Sequence, residues 1–147
     1  MATVSKSESV LKEILDLYFK CFKNLDNIHP DWLEGLEVDR YYPELGVIVE
    51  FQGPHHYKDY NQIRADSKKR NLVQAKGIKF YDINIYDLTE DRIRRLIEGI
   101  IYDGKNFLES SGKEYLTEKL VKIDPKKSVD PKLLRLATKL ALPRYKK

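Results

Sequence analysis

One cysteine, three histidines and no long apolar run set the first limits on this 147-residue chain. The lone Cys21 excludes an internal disulfide. Its apolar neighbours in LYFKCFKNL predict a buried thiol kept in a reducing compartment. A transmembrane helix needs about 18 apolar residues in succession, and nothing approaches that length. No signal-peptide pattern is present either. The expectation is a soluble cytoplasmic protein, not secreted, with no membrane partner. Two of the histidines, His55 and His56, are adjacent and have no cysteine near them, which argues against a zinc site. Internal repeats and low-complexity tracts are absent.

Enough remains for a real core. Hydrophobic residues make up 41% of the chain and include ten tyrosines, while 34% charged residues solvate the surface. That balance excludes general disorder. The net charge of +4 is unevenly spread. Residues 113–147 hold 11 Lys and Arg against 4 Asp and Glu, so the rest of the chain is mildly acidic. A basic end on an acidic body suits either contact with a polyanion or a solvated helical tail.

Apolar spacing predicts a helix over 5–23, followed by a loop through NLDNIHPDW. Two short β-rich runs flank Pro-Glu-Leu-Gly in LEVDRYYPELGVIVEFQ and read as a hairpin. A polar helix is expected over 61–76, closed by Gly77, then a strand over 78–85. Thr89 caps a helix whose buried face carries Ile93, Leu96, Ile97, Ile100 and Ile101. These elements give an α/β core with a mixed central sheet flanked by helices over 1–104. A basic, mostly helical extension over 105–147 completes the chain, with helices near 113–121 and 131–141.

The hairpin carries the chemistry. With the turn centred on Glu44-Leu45, Tyr42 faces Val47, Asp39 faces Glu50 and Glu37 faces Gln52. All four polar residues then share one sheet face. A one-residue slip would separate them. Two carboxylates so close either raise a pKa or hold a cation. Oxygen donors of this kind suit Mg²⁺, with Mn²⁺ as a substitute. His56, beyond a Gly-Pro turn, is a candidate general base, general acid or phosphate contact. On the next helix Asp66, Lys69 and Arg70 are neighbours at i, i+3 and i+4. Lys68, Lys69 and Arg70 are candidate phosphate-backbone contacts, as are Lys126, Lys127, Lys132, Arg135 and Lys139 in the basic end.

Asp39, the hairpin, and then Glu50-Phe51-Gln52 together resemble the PD-(D/E)XK nuclease superfamily, with Gln52 where its usual Lys stands. The longer string VDRYYPELGVIVEFQGPHHY, followed by Asp66, Lys69, Leu72 and Gly77, is similar to one branch. That branch holds the very-short-patch-repair-like endonucleases and the phage and homing enzymes with an E-D-x-H-D pattern. The resemblance spans about residues 5–88. It implies a restriction-endonuclease-like fold and a divalent-metal-dependent DNA endonuclease. Glu8, Asp39, Glu50, Gln52, His56, Asp66 and Lys69 would then be the catalytic set, with metal held by Asp39, Glu50 and the Phe51 carbonyl. Glu13 competes with Glu8, and Asp59 with Asp66, for their positions. The implied partner is duplex, mismatched or branched DNA, met as a homodimer if both strands are cut. A phage-encoded origin is among the readings. A junction-resolving nuclease is one alternative; a non-catalytic nucleic-acid-binding module and a phosphodiesterase acting on RNA or small nucleotides are others.

Overall fold

The computed structural model describes residues 6–52 and 60–141, apart from the side chains of Tyr60, Gln62 and Ala141. In chain order the elements are α1 (Lys6–Tyr18), β1 (Leu25–Ile28), β2 (Val38–Tyr42), β3 (Val47–Gln52) and α2 (Tyr60–Ala75). They continue with β4 (Lys79–Asn84), α3 (Glu90–Ser110), α4 (Thr117–Val121) and α5 (Pro131–Ala141). Single 3-10 turns occur at Asp31–Leu33 and Glu114–Leu116. The four strands lie in the order β1-β2-β3-β4. The first two pairings are antiparallel and the third is parallel, so the sheet is mixed. A parallel neighbour needs a crossover, and α2 belongs to the one joining β3 to β4.

The β2–β3 register follows from the even-length turn. Arg40 faces Val49, Tyr41 faces Ile48 and Tyr42 faces Val47. The Leu45 N–H donates to the Tyr42 carbonyl at 3.1 Å, and Gly46 closes the turn at φ +62°. A side chain at Gly46 would also run into the Phe107 ring of α3. Backbone and packing therefore both require glycine there.

β3 is covered on both faces, which is why its sequence is almost continuously apolar. Val47, Val49 and Phe51 join α1 and α3 residues such as Leu11, Leu15, Ile93, Ile97 and Ile100 in the larger core. Ile48 joins Leu33, Val38, Val73 and Ile78 in a smaller core on the α2 side. Glu50 lies two residues beyond Ile48 on that second face, at the mouth of the layer.

Three sequence expectations change. First, α1 ends at Tyr18, not 23, because the chain tightens into a turn where the Phe22 N–H donates to the Phe19 carbonyl. Cys21 falls in that turn and is exposed, not buried. Second, a strand, β1, lies within the expected loop. It pairs with β2 through Leu25–Tyr41, Asp26–Arg40 and Ile28–Val38. Asn27, in the left-handed region at φ +54°, hides it from a propensity reading. Third, the expected boundary at 104 falls inside α3, where Gly104 lies close to Leu45 and Leu120. Leu116, Leu120 and Ala137 of the C-terminal segment are buried in the larger core. α5 packs on α1, and the Tyr18 hydroxyl donates to the Lys127 carbonyl at 2.8 Å. Among the described residues, no helix is long and apolar enough to cross a membrane.

Candidate functional site

Past the Arg40–Val49 pair the two hairpin strands bond through their acids. The Asp39 N–H donates to Glu50 Oε2 at 2.8 Å, and the Phe51 N–H donates to Asp39 Oδ2 at 2.9 Å. Each carboxylate thus takes the backbone amide of the opposite strand, which locks the pair in place. Lys69 of α2 completes the group, with Nζ 2.8 Å from Glu50 Oε1. On α1, Lys12 pairs with Glu8 at 3.1 Å and stands 5.5 Å from the centre of the Phe51 ring. Strand alternation places the Phe51 carbonyl as well. The Gly46 and Gln52 carbonyls accept from Lys79 and Ile85 in the β4 direction. The Phe51 carbonyl therefore faces β2, the side on which its N–H meets Asp39.

Both acids are held above the ordinary carboxylate range. Burial is the main cause for Asp39, with Glu8 adding to it, while the Phe51 amide and the Lys69 and Lys12 ammoniums work against the shift. For Glu50, 5% exposed, burial comes first and the Asp39 charge second; the Asp39 amide and Lys69 offset only part. A carboxyl with a raised pKa binds its proton more tightly in the folded than in the unfolded chain. The stability this contributes is complete below pH about 4, where unfolded Asp and Glu titrate, and is lost as pH rises through the folded values. In EDTA, the melting temperature of the parent protein should therefore fall relative to Asp39→Asn between pH 4 and 7. A constant difference over that range would mean that the pair is not strained by its charge.

Beside the pair opens a cleft of about 680 Å³, lined by Glu50, Gln52, Asp66, Lys69, Arg70, Phe80, Asp82 and Arg92 among others. Its organiser is Asp82, which the parallel register sets directly beside Glu50. Asp82 Oδ1 accepts from the Gln52 side-chain amide at 2.9 Å, and Oδ2 pairs with Arg70. The Arg70 guanidinium in turn lies 4.6 Å from the centre of the Phe80 ring. Gln52 is therefore turned toward β4, and the ammonium nearest Glu50 comes from the helix.

Asp39, Glu50 and Lys69 thus meet, with Glu8 near enough to act on the Asp39 charge. Asp66 lies in the cleft wall on α2. Lys68 points to Glu34, at 2.6 Å. The expected pairing of Glu37 with Gln52 is not made. Glu37 precedes β2 and accepts from the Asn27 side chain at 2.8 Å, whereas Gln52 aligns with Asn84. His55, His56 and Asp59 lie outside the described residues. Lys126 and Lys127 sit ahead of α5, and Lys132, Arg135 and Lys139 are exposed on it. Sequence reasoning missed Lys12 and Asp82. The i, i+4 spacing from Glu8 was a signal for Lys12, whereas Asp82 required the β4 register.

Hard oxygen donors such as Asp39, Glu50 and the Phe51 carbonyl fit a small divalent ion, and their excess negative charge gives one a reason to bind. Among the described residues, no group of three or more His, Cys, Asp or Glu could hold a metal ion. Mg²⁺ is commonly held by one or two carboxylates with water in its other positions. Comparison with protein-family models, curated proteins and solved structures gives no match.

Proposed function

We propose that this chain is a divalent-metal-dependent DNA endonuclease with a PD-(D/E)XK-like core. The observation that carries the reading is the Asp39–Glu50 pair: two desolvated acids, each fixed by the amide of the facing strand, at the edge of an open cleft. A binding protein gains nothing by burying like charges, whose cost has to be recovered by a ligand. Asp39, Glu50 and the Phe51 carbonyl would hold Mg²⁺ or Mn²⁺. When bound, such an ion lowers the pKa of water and neutralises charge on a phosphoryl oxygen.

The chain's own groups then divide the remaining tasks. Lys69 stands against Glu50 and would move to the scissile phosphate as the ion takes over that carboxylate. Gln52, held by Asp82, donates no charge and lines the cleft. Arg70, braced by Asp82 and Phe80, would contact the neighbouring phosphate. His56 stays in the proposal as a proton-transfer group on the strength of the sequence pattern alone.

One observation favours a second reading, a nucleic-acid-binding module of nuclease descent. Lys69 already neutralises Glu50, and Gln52 occupies the place of the usual Lys. Duplex, single-stranded, mismatched and four-way-junction DNA, incubated with Mg²⁺, Mn²⁺ or EDTA, separates the two. The endonuclease reading expects cleavage with either metal and none in EDTA. Tight binding with no cleavage of any substrate in either metal would replace it with the binding module.

A further inference from the structure

The cations around the acid pair are largely spent on local carboxylates: Lys12 on Glu8, Lys68 on Glu34, Lys69 on Glu50, Arg70 on Asp82 and Arg92 on Asp87. α5 is different. Lys132, Arg135 and Lys139 are exposed, and among the described residues none of them makes an ion pair. α5 contains no acid. The acid nearest in sequence, Asp130, is engaged as a helix cap, its Oδ1 accepting from the Lys132 and Leu133 N–H groups at 3.1 Å each.

At 100° per residue the three cations form one stripe, opposite Leu133, Ala137 and Leu140. Those apolar residues are committed to the core that α1 shares. A basic amphipathic helix anchors in a membrane interface by burying its apolar face, and charge alone adds only about 1 kcal/mol per Lys or Arg at an anionic surface. Here that face is covered, so the stripe is left with a purely electrostatic partner. Lys132 and Lys139 are separated by about 10.5 Å along the helix. That matches roughly three base-pair steps of about 3.4 Å.

We propose that the exposed face of α5, through Lys132, Arg135 and Lys139, is a second contact surface that binds the phosphate backbone of duplex DNA outside the cleft, without regard to base sequence. This rests on the nuclease reading only in taking DNA as the polymer bound. Charge that a core would neutralise locally is kept free here on a rigid, packed helix, as a backbone contact requires.

The test compares the parent full chain with Lys132→Gln/Arg135→Gln/Lys139→Gln. A charge-matched control carries Lys20→Gln/Lys23→Gln/Lys105→Gln at other exposed positions. Duplex affinity is measured in EDTA over about 50–300 mM salt, where cutting plays no part, and circular dichroism verifies folding. Each phosphate contact contributes about 0.9 to the slope of log K against log salt. The α5 variant should lose roughly 2 to 3 units of slope and about 10²-fold or more in affinity near 0.1 M salt. The control should stay close to the parent. Equal losses in the two variants, or none in the α5 variant, would overturn the proposal. So would α5-dependent sedimentation with phosphatidylserine vesicles without duplex binding. Cleavage assays in Mg²⁺ report separately on the nuclease reading: α5-dependent binding without cleavage would sink that reading and leave this one standing.

Discussion

Asp39→Asn and Glu50→Gln should each lower DNA cleavage in Mg²⁺ by about 10³-fold, with duplex affinity in EDTA unchanged or slightly improved. The size follows from the charge each substitution removes. Stabilising a developing phosphoryl charge through a metal supplies several kcal/mol, and each 1.4 kcal/mol is a factor of ten in rate. The shape of the site is preserved. An asparagine carbonyl still accepts the Phe51 N–H that Asp39 Oδ2 accepts, and a glutamine carbonyl still accepts the Asp39 N–H. Because burial, with the Glu8 charge added at Asp39 and the Asp39 charge added at Glu50, holds both acids above their ordinary range, removing the Asp39 charge should also raise the melting temperature of the metal-free protein at pH 7. About 1 kcal/mol of relief corresponds to roughly 3 °C in a domain of this size. Lost cleavage with gained stability marks a site kept for function and not for folding. Cleavage that survives both substitutions would remove the metal site from this pair of acids and place the cutting chemistry elsewhere.

The acid pair was legible in the sequence because its placement depends on local rules. Pro43 and Gly46 flank a two-residue centre, the turn length sets the register up to Arg40–Val49, and the next residues on each strand, Asp39 and Glu50, meet through the side-chain bonds just beyond it. Polar α2 and amphipathic α3 were legible for the same reason, since period and caps are local. What was missed depends on alignment over longer distances. The position of Asp82 beside Glu50 requires the register of a parallel strand reached through a crossover. Lys69 and Arg70 were visible as neighbours on a helix, but not that one turns to Glu50 and the other to Asp82. A helix near 131–141 was legible, but the sequence could not decide whether it docks on the core, because its packing on α1 is a contact between distant parts of the chain. Glu37 was misplaced because the hairpin rule was extended past Arg40–Val49, where side-chain bonds replace the ladder.

Arg40 carries the largest expected effect on folding. Only 2% exposed, it forms a fork on Asp26 at 2.7 and 2.8 Å and reaches Asp16 at 2.6 Å. It also donates to the Lys12 carbonyl and the Tyr42 hydroxyl, both at 3.3 Å. One guanidinium thereby ties α1 to β1 and β2. Burial is the largest single influence and opposes its charge, but Asp26 and Tyr42 together outweigh it and hold its pKa above the ordinary arginine value. Burial also pushes the Tyr42 hydroxyl up to about 12, so it stays neutral as an acceptor at physiological pH. Arg40→Met keeps much of the volume and removes every one of these bonds. Breaking a buried pair by deleting one partner costs about 3–5 kcal/mol. Asp16 and Asp26 are partly exposed, at 50% and 34% for their side chains, and can regain water, so the loss should fall near the lower figure. That corresponds to a drop of roughly 10 °C in melting temperature. Lysine at 40 should recover only part of it, since an ammonium cannot reproduce the fork on Asp26. Because α1 also carries Glu8 and Lys12, looser anchoring should reduce cleavage in proportion to the folded fraction and leave the metal requirement unchanged. Urea unfolding monitored by tyrosine fluorescence measures the stability change. A loss under about 1 kcal/mol would show that rehydration of the two aspartates compensates for the missing guanidinium.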